Sequence, residues 1–164
     1  MHIPDTVIRE IDVLREHEKV IGRLYAAYAA RFPQDRDVWL GLSQEEQQHA
    51  AWIESLQAKV EQESSGLLVN RFPVEAVKHS IDYVNKLIDN ANRPDLTPVK
   101  AFSAALDLER ALLENRYFEI FETDSVELQH VLNSLAQGTK AHIERVQQAW
   151  HHSKHPPTRR PLPA

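Results

Sequence analysis

The residues best suited to chemistry form the box Glu46-Gln47-Gln48-His49. On a helix, side chains three positions apart share a face, so Glu46 and His49 point the same way. The apolar residues around the box, at steps of three and four, continue through both positions: Val38, Leu42, Ile53, Leu56 and Val60. An acid and an imidazole therefore occupy core positions. A buried carboxylate is costly unless it is paired or bound to a metal, so the box predicts partners on other helices.

Glu18 interrupts a second apolar stripe, made of Ile11, Leu14, Ile21, Tyr25, Tyr28 and Phe32. Its neighbours Glu16 and Lys19 lie off this stripe. The alternative is a Glu18 at the edge of the stripe, with its carboxylate reaching water along an apolar stem.

Glu109 and His142 hold equivalent positions further along the chain. Glu109 stands among Phe102, Leu106, Leu113, Tyr117 and Ile120, and His142 stands among Leu128, Val131, Leu135, Thr139, Val146 and Trp150 or Ala149. Glu114 competes with Glu109, but its stripe is less apolar, so Glu109 is preferred. Gly138 inside the last helix suggests close packing or a local irregularity.

These stripes predict an all-α fold. The first helix begins at Asp5 or Thr6 and ends near Arg31, and the second runs from about 37 to 60 after a turn at Pro33. Residues 62–72 break the pattern, and a packing helix follows over 73–91. Thr97-Pro98 caps a fourth helix that reaches about Phe121, and the last helix follows Asp124 or Ser125.

Composition limits the possible functions. The 164 residues carry a net charge of −5 with both signs interspersed, which argues against a nucleic-acid surface. The absence of cysteine excludes disulfides, thiolate zinc sites and iron–sulfur clusters. No apolar run approaches the ~18 residues of a membrane span, and the start of the chain lacks a signal-peptide core, so we expect a soluble cytoplasmic protein. One domain over 1–152 and a disordered, proline-rich basic tail over 153–164 are predicted.

The two halves of the chain resemble each other. At an offset of 93 residues, His49 falls on His142 and Glu46 on Thr139, and at an offset of 91 Glu18 falls on Glu109. Each half is thus a helical hairpin with a glutamate in its first helix and a histidine in its second. The long crossover between them suits an antiparallel four-helix bundle with one extra helix in the connection.

A glutamate followed by Glu-x-x-His, repeated in a second hairpin, resembles the ferritin-like superfamily and within it the rubrerythrin-like branch. The resemblance spans roughly residues 8 to 150. It implies two metal ions in the bundle core, usually iron, that react with peroxide or dioxygen, and it implies metal-ligand roles for Glu18, Glu46, His49, Glu109 and His142. Glu46 and Glu109 would bridge the metals, with Glu18 and His49 on one and His142 on the other. Manganese or zinc would also suit these ligands.

The chain departs from that family at Thr139, where an acid is expected. The second metal would lack an anionic ligand there, so water, the threonine hydroxyl or Glu114 would fill the place, or the metal would bind weakly or not at all. Without the cysteine-bound iron domain of rubrerythrin, electrons would come from an external donor protein, and a homodimer is possible. Tyr25 is the candidate catalytic residue. Tyr25 and Tyr28 would form hydrogen bonds to a ligand, quench radicals, or be ordinary core tyrosines.

Two other functions are compatible with the sequence. One is a degenerate bundle without metal, acting as a structural or interaction protein, in which both histidines are satisfied core residues. The other is a di-iron hydroxylase with an organic substrate. The remaining histidines are expected at the surface or in the tail: His2, His17, His79, His130, His151, His152 and His155.

Overall fold

A computed structural model describes residues 5–63, 67–69, 74–114, 121–123 and 126–154. This part of the chain contains five helices and two short strands. The helices are α1 (Asp5–Arg31), α2 (Arg36–Glu63), α3 (Val74–Asp89), α4 (Pro98–Glu114) and α5 (Val126–Lys154), and the strands are β1 (Leu67–Val69) and β2 (Phe121–Thr123). The predicted all-α class is confirmed. None of the described helices combines the length and apolar character needed to cross a bilayer.

The first two helices form a hairpin close to the predicted one. A 3-10 turn over Pro33–Asp35 is all that separates α1 from α2, and the two helices pack along each other. The predicted stripe of α1 is buried throughout, from Ile11 to Phe32. Because the stripe follows steps of three and four, a single face of α1 meets the core.

The second hairpin joins the first through its last helix. Thr97 caps α4, because its hydroxyl oxygen accepts a hydrogen bond from the Lys100 amide over 3.3 Å. Helix α4 packs on α5, α5 also packs on α2, and α3 packs on α1. Residues of four different helices can therefore meet in one interior.

The prediction that the fourth helix reaches Phe121 was wrong. Helix α4 ends at Glu114, and β2 pairs with β1 in antiparallel register, Leu67 opposite Thr123 and Val69 opposite Phe121. Phenylalanine and threonine favour strands, and the backbone of β1 supplies hydrogen-bond partners for the backbone of β2. The predicted core side chains of Leu113, Tyr117, Ile120 and Leu128 lie outside the described ones, as do those of Val60 and Glu114.

An aromatic cluster fills the core beside the polar residues. Trp39 is completely buried and stacks on Phe102, with ring centroids 4.4 Å apart. The rings of Tyr25 and Tyr28 contact the same tryptophan at 5.6 and 5.0 Å. Trp39 stands three positions before Leu42, so the helical spacing fits it as well, but the predicted stripe began instead at Val38, which is only partly buried. This cluster links α1, α2 and α4 and fixes the depth at which their polar side chains stand.

Candidate metal centre

The structure brings together all five residues proposed as ligands. Helix α1 supplies Glu18, α2 supplies Glu46 and His49, α4 supplies Glu109, and α5 supplies His142. None of these residues is more than 3 % exposed. The alternative of a Glu18 reaching water is therefore wrong. Their convergence is a property of the fold, whereas their role as ligands stays a prediction.

Glu46 stands between the two imidazole rings. Its Oε2 lies 3.0 Å from Nδ1 of His49, and its Oε1 lies 2.9 Å from Nδ1 of His142. The two rings are stacked, with centroids 5.0 Å apart and planes inclined by 23°. One carboxylate thus presents one oxygen to each histidine, and both histidines turn the same ring nitrogen toward it.

The other two acids flank this centre, one on each side. Oε2 of Glu18 is 3.5 Å from Nδ1 of His49, and Oε1 of Glu109 is 3.5 Å from Nδ1 of His142. The Tyr25 hydroxyl donates a hydrogen bond of 2.6 Å to the same Glu109 oxygen. We call Glu18 and His49 the His49 half of the centre, and Glu109 and His142 the His142 half, with Glu46 shared by both.

Several buried oxygen and nitrogen atoms in this cluster lack hydrogen bonds. Within the described part of the chain, no partner satisfies either oxygen of Glu18, Oε1 of Glu46, Oε2 of Glu109 or Nδ1 of His142. The short distance between Nδ1 of His142 and Glu46 does not have hydrogen-bond geometry. Buried polar atoms are nearly always satisfied, and leaving one unpaired costs about 1–3 kcal/mol or more if it is charged. Such a concentration of exceptions indicates a missing partner.

A metal ion fits that requirement. One donor atom from each of Glu46, His49 and His142 lies within 4.8 Å of the other two, so this buried group could hold an ion. Carboxylate and imidazole ligands suit iron, manganese and zinc. A cation would also offset the charge of the acids.

Burial and the charges within the cluster shift the pKa values of Glu18 and of both imidazoles. Burial, followed by the charge of Glu46, raises the pKa of Glu18 to about 7. Burial alone would lower the pKa of both histidines, but the adjoining acids outweigh it. Contacts with Glu18 and Glu46 raise the pKa of His49 to about 9, and contacts with Glu109 and Glu46 raise that of His142 to about 11. Without metal, protons on the two imidazoles therefore balance part of the negative charge of the carboxylates.

Two glycines allow the helices to approach the centre. A Cβ atom added at Gly138 would lie only 2.4 Å from Nε2 of His49, so α5 can pass this ring only without a side chain there. The predicted close packing at Gly138 is confirmed. On the other side, a Cβ at Gly22 would lie 3.3 Å from Cβ of Glu46, and the Ser43 hydroxyl donates a 2.8 Å hydrogen bond to the Gly22 carbonyl.

Thr139 lies in the core where the repeat calls for an acid. It is 1 % exposed, and its hydroxyl donates a hydrogen bond of 3.1 Å to the Leu135 carbonyl of its own helix. Its proton is therefore directed along α5, although the hydroxyl oxygen keeps a lone pair. Glu114, the other candidate for the missing acid, has no described side chain.

Sequence reasoning missed Glu45, which contacts the outer edge of His142, and Arg145, which binds Glu45. Nε2 of His142 lies 2.8 Å from Oε2 of Glu45, and the Arg145 guanidinium binds the other oxygen of that carboxylate. Glu45 lies off the apolar stripe, so helical spacing does not single it out. The one available signal was the 93-residue offset, which places Glu45 on Gly138.

The expectation that His17 lies at the surface was wrong. The residue is 2 % exposed, and its Nε2 lies 2.8 Å from the Ser80 hydroxyl on α3. Burial lowers the pKa of its imidazole, although the charge of Glu18 opposes the shift. His17 is next to Glu18 in sequence, but its ring faces α3 because consecutive side chains on a helix point in different directions. The other histidines with described side chains are exposed, namely His79, His130, His151 and His152.

Comparisons with protein-family models, with curated proteins and with solved structures find no match. The functional argument therefore depends on the geometry of the centre.

Proposed function

We propose that this chain is a di-metal oxidoreductase with a ferritin-like four-helix bundle of rubrerythrin type. It would reduce peroxide or dioxygen at two iron ions, using electrons from an external donor protein. The observation that carries the proposal is that five buried polar atoms of the cluster centred on Glu46 have no hydrogen-bond partner within the described part of the chain. Buried polar atoms are nearly always satisfied by protein, ordered water or a bound ion, and three acids with two imidazoles are a ligand set that suits an ion.

The arrangement suggests how two ions would divide the ligands. In the His49 half, Glu18 and His49 would bind one ion together with Oε2 of Glu46. In the His142 half, Glu109 and His142 would bind the other together with Oε1 of Glu46. Glu46 would be the bridge in this assignment, because it contacts both histidines. Of the two histidines, Glu109 contacts His142. The three carboxylates nearly balance the charge of two divalent cations.

A reduced metal pair would supply two electrons, and the oxidised pair would recover them from the donor protein. Reduction of hydrogen peroxide to two water molecules consumes those electrons and two protons. The protein's own part is to hold the ligands and to exclude other reactants. Tyr25 orients Glu109 through its hydrogen bond. A direct role of this tyrosine toward an oxidant or a radical stays a prediction.

A protein without metal is the second candidate, and the short contacts between the imidazoles and the carboxylates favour it. Because the pKa of His49 is raised to about 9 and that of His142 to about 11, both imidazoles carry protons at neutral pH when no metal is bound. Two imidazolium groups then pair with the acids, and the cluster becomes a buried ion-pair network. Such a network would leave a structural or interaction protein with no redox activity.

Metal analysis separates the two candidates. The protein is produced in iron-rich medium and its metal content is compared with that of Glu46→Ala and of the isosteric Glu46→Gln. We expect close to two ions per wild-type chain and none in either variant. Absence of metal from the wild type would leave the buried ion-pair network as the account of the cluster.

His151 and His152 require a control because they are exposed neighbours on the last turn of α5. Adjacent surface histidines can take up metal during purification. The double variant His151→Ala/His152→Ala should keep the full metal content. If it loses the metal while Glu46→Ala retains it, the ion lies outside the proposed centre and the proposal fails.

A further inference from the structure

Two residues outside the proposed ligand set support the outer edge of His142, one directly and one through the other. Glu45 on α2 places Oε2 2.8 Å from Nε2 of the ring, and Arg145 on α5 binds Oε1 of the same carboxylate. Glu45 and Arg145 are only partly exposed, with side-chain exposures of 44 % and 36 %. The arginine lies one turn from His142 on the same helix, so it anchors Glu45 directly beside the ring.

This contact selects one form of the neutral imidazole. Nε2 has a hydrogen bond to the Glu45 carboxylate, whereas Nδ1 lies near two carboxylates without a contact of hydrogen-bond geometry. The neutral ring therefore places its proton on Nε2, where the ionised carboxylate can accept it. Its Nδ1 then carries the lone pair and faces Glu46 and Glu109, at 2.9 and 3.5 Å. A carboxylate on the far nitrogen of a ligating histidine fixes the ring and increases its basicity.

We propose that Glu45, clamped by Arg145, is the positioning residue that presents Nδ1 of His142 to a metal ion. The inference deepens the proposed function, on which it rests, by assigning a residue that supports only one of the two histidines. The clamp joins α2 to α5 across the interface at which the two hairpins meet. It therefore ties the orientation of His142 to the packing of the two hairpins.

His49 has no equivalent support at the corresponding position. The offset that relates His49 to His142 also relates Glu45 to Gly138, and the structure reproduces this relation in space. Glu45 on α2 contacts Nε2 of the histidine on α5, whereas Gly138 on α5 faces Nε2 of the histidine on α2. The glycine offers no side-chain acceptor. The clamp is thus specific to the His142 half.

Cobalt(II) titration of the metal-free protein, followed by visible absorption, tests the inference. Loss of a supporting carboxylate typically weakens a metal site 10–100-fold. We expect Glu45→Ala to weaken one of two binding phases by about that factor and to leave the other unchanged, with Glu45→Gln intermediate. If the wild type binds a single cobalt ion, Glu45→Ala should weaken that binding by the same factor, because His142 belongs to the group that could hold one ion. Unchanged cobalt affinity in Glu45→Ala would overturn the inference.

The clamp itself can be tested with Arg145. Arg145→Ala should reproduce part of the loss, and Arg145→Lys should restore part of it by keeping a cation beside Glu45. The matched control is Glu16→Ala, which removes an acid paired with Arg23 at 2.8 Å on the exposed face of α1. A control as weak in cobalt binding as Glu45→Ala would show a general charge effect and would also overturn the inference.

Nuclear magnetic resonance of the metal-free protein, with nitrogen-15 in the histidine rings, provides a readout that needs no metal. The Nε2 proton of His142 should give a low-field, slowly exchanging signal that moves upfield in Glu45→Ala, while the signals of His49 stay in place. A wild type that binds no cobalt but shows this signal change would contradict the proposed function alone. An unchanged His142 signal would contradict the positioning role, whatever the metal content.

Discussion

The two halves of the candidate centre contain the same residue types but differ in the side chains that contact them. Each half pairs a glutamate with a histidine and uses one oxygen of Glu46. In the His142 half, Tyr25 donates to Glu109 and Glu45 holds the far edge of the ring. In the His49 half, both oxygens of Glu18 lack hydrogen-bond partners within the described part of the chain, and a glycine faces the ring.

The comparison shows what a helical repeat preserves. Spacing of three and four residues conserves the face on which a ligand stands, because that face is set by helix geometry. The hydrogen bonds that tune the ligand come from neighbouring helices and depend on side-chain reach. The His142 half is therefore pre-organised by polar contacts, whereas the His49 half is shaped mainly by the absence of a side chain at Gly138.

Adding an acid at position 139 should give the largest effect. In Thr139→Glu the new carboxylate restores the residue that the repeat lacks, at a position that is 1 % exposed. Without metal, a further buried charge should lower the free energy of unfolding by about 3–5 kcal/mol, and saturating metal should reverse this loss. Calorimetric melting with and without manganese measures both.

Thr139→Gln is the control, because it has a similar size and no charge. It should destabilise the protein without any gain in metal content. If metal occupancy of Thr139→Glu stays at the wild-type value, the repeat-based alignment of Thr139 with Glu46 is wrong and the comparison of the halves loses its basis.

The pH dependence of the metal-free protein should distinguish the two histidines. The folded-state pKa of His49 is raised from 6.5 to about 9, so the folded protein holds a proton that the unfolded chain releases. This contribution is full below pH 6.5 and disappears as the pH rises through 9, a loss of the order of 3 kcal/mol. Urea unfolding across this range measures it.

His49→Gln should flatten the slope between pH 6.5 and 9, and His142→Gln should remove the continued loss up to about pH 11. Glu18 adds a loss in the same direction, since its pKa is raised from 4.5 to about 7. Stability that rises with pH through this window in the metal-free wild type would contradict the assigned ion pairs.

A methyl group at position 138 should damage the His49 half selectively. Alanine is better than glycine inside a helix by about 1 kcal/mol. In Gly138→Ala, however, the added Cβ would meet Nε2 of His49 at 2.4 Å. Displacing the ring should cost about 1–3 kcal/mol in the free energy of unfolding and weaken the metal phase of this half. Chemical unfolding and cobalt titration report the two effects.

The exposed Ala141 on the same helix provides the reference for helix propensity. Ala141→Gly should destabilise the protein by about 1 kcal/mol without changing metal affinity. A Gly138→Ala protein that is more stable than the wild type would show that His49 does not need the space.

Removing the Tyr25 hydroxyl should give the smallest effect and should act on the His142 half. Tyr25→Phe leaves Oε1 of Glu109 without its 2.6 Å donor. We expect a loss of about 1–2 kcal/mol of stability in the metal-free protein. Tyr83→Phe, at a residue that is 47 % exposed, is the matched control. Equal melting temperatures for the two variants would remove Tyr25 from the account.

Periodicity predicted the residues of the centre and most of the helix bounds. Glu18, Glu46, His49, Glu109 and His142 were found because each interrupts an apolar stripe, and the structure buries all of them. The strand at Phe121 was missed, since pairing between β1 and β2 depends on a segment more than fifty residues away in sequence. A local pattern carries no information about such a partner.

The supporting contacts were beyond the reach of spacing for the same reason. Glu45 is half-exposed and lies beside a core residue, so it looks like an ordinary surface acid until α5 is placed against α2. The burial of His17 likewise follows from the packing of α3 on α1, which brings Ser80 to its ring. Tertiary contact determines both, and only the mutual position of helices reveals it.

Anomalous diffraction from crystals grown with zinc would test most directly whether cations hold the five side chains together. The account predicts two peaks, one about 2.1 Å from Nδ1 of His49 and one about 2.1 Å from Nδ1 of His142, with Glu46 between them. Peaks confined to the exposed His151 and His152, with the Glu46 cluster closed on itself by hydrogen bonds, would contradict it.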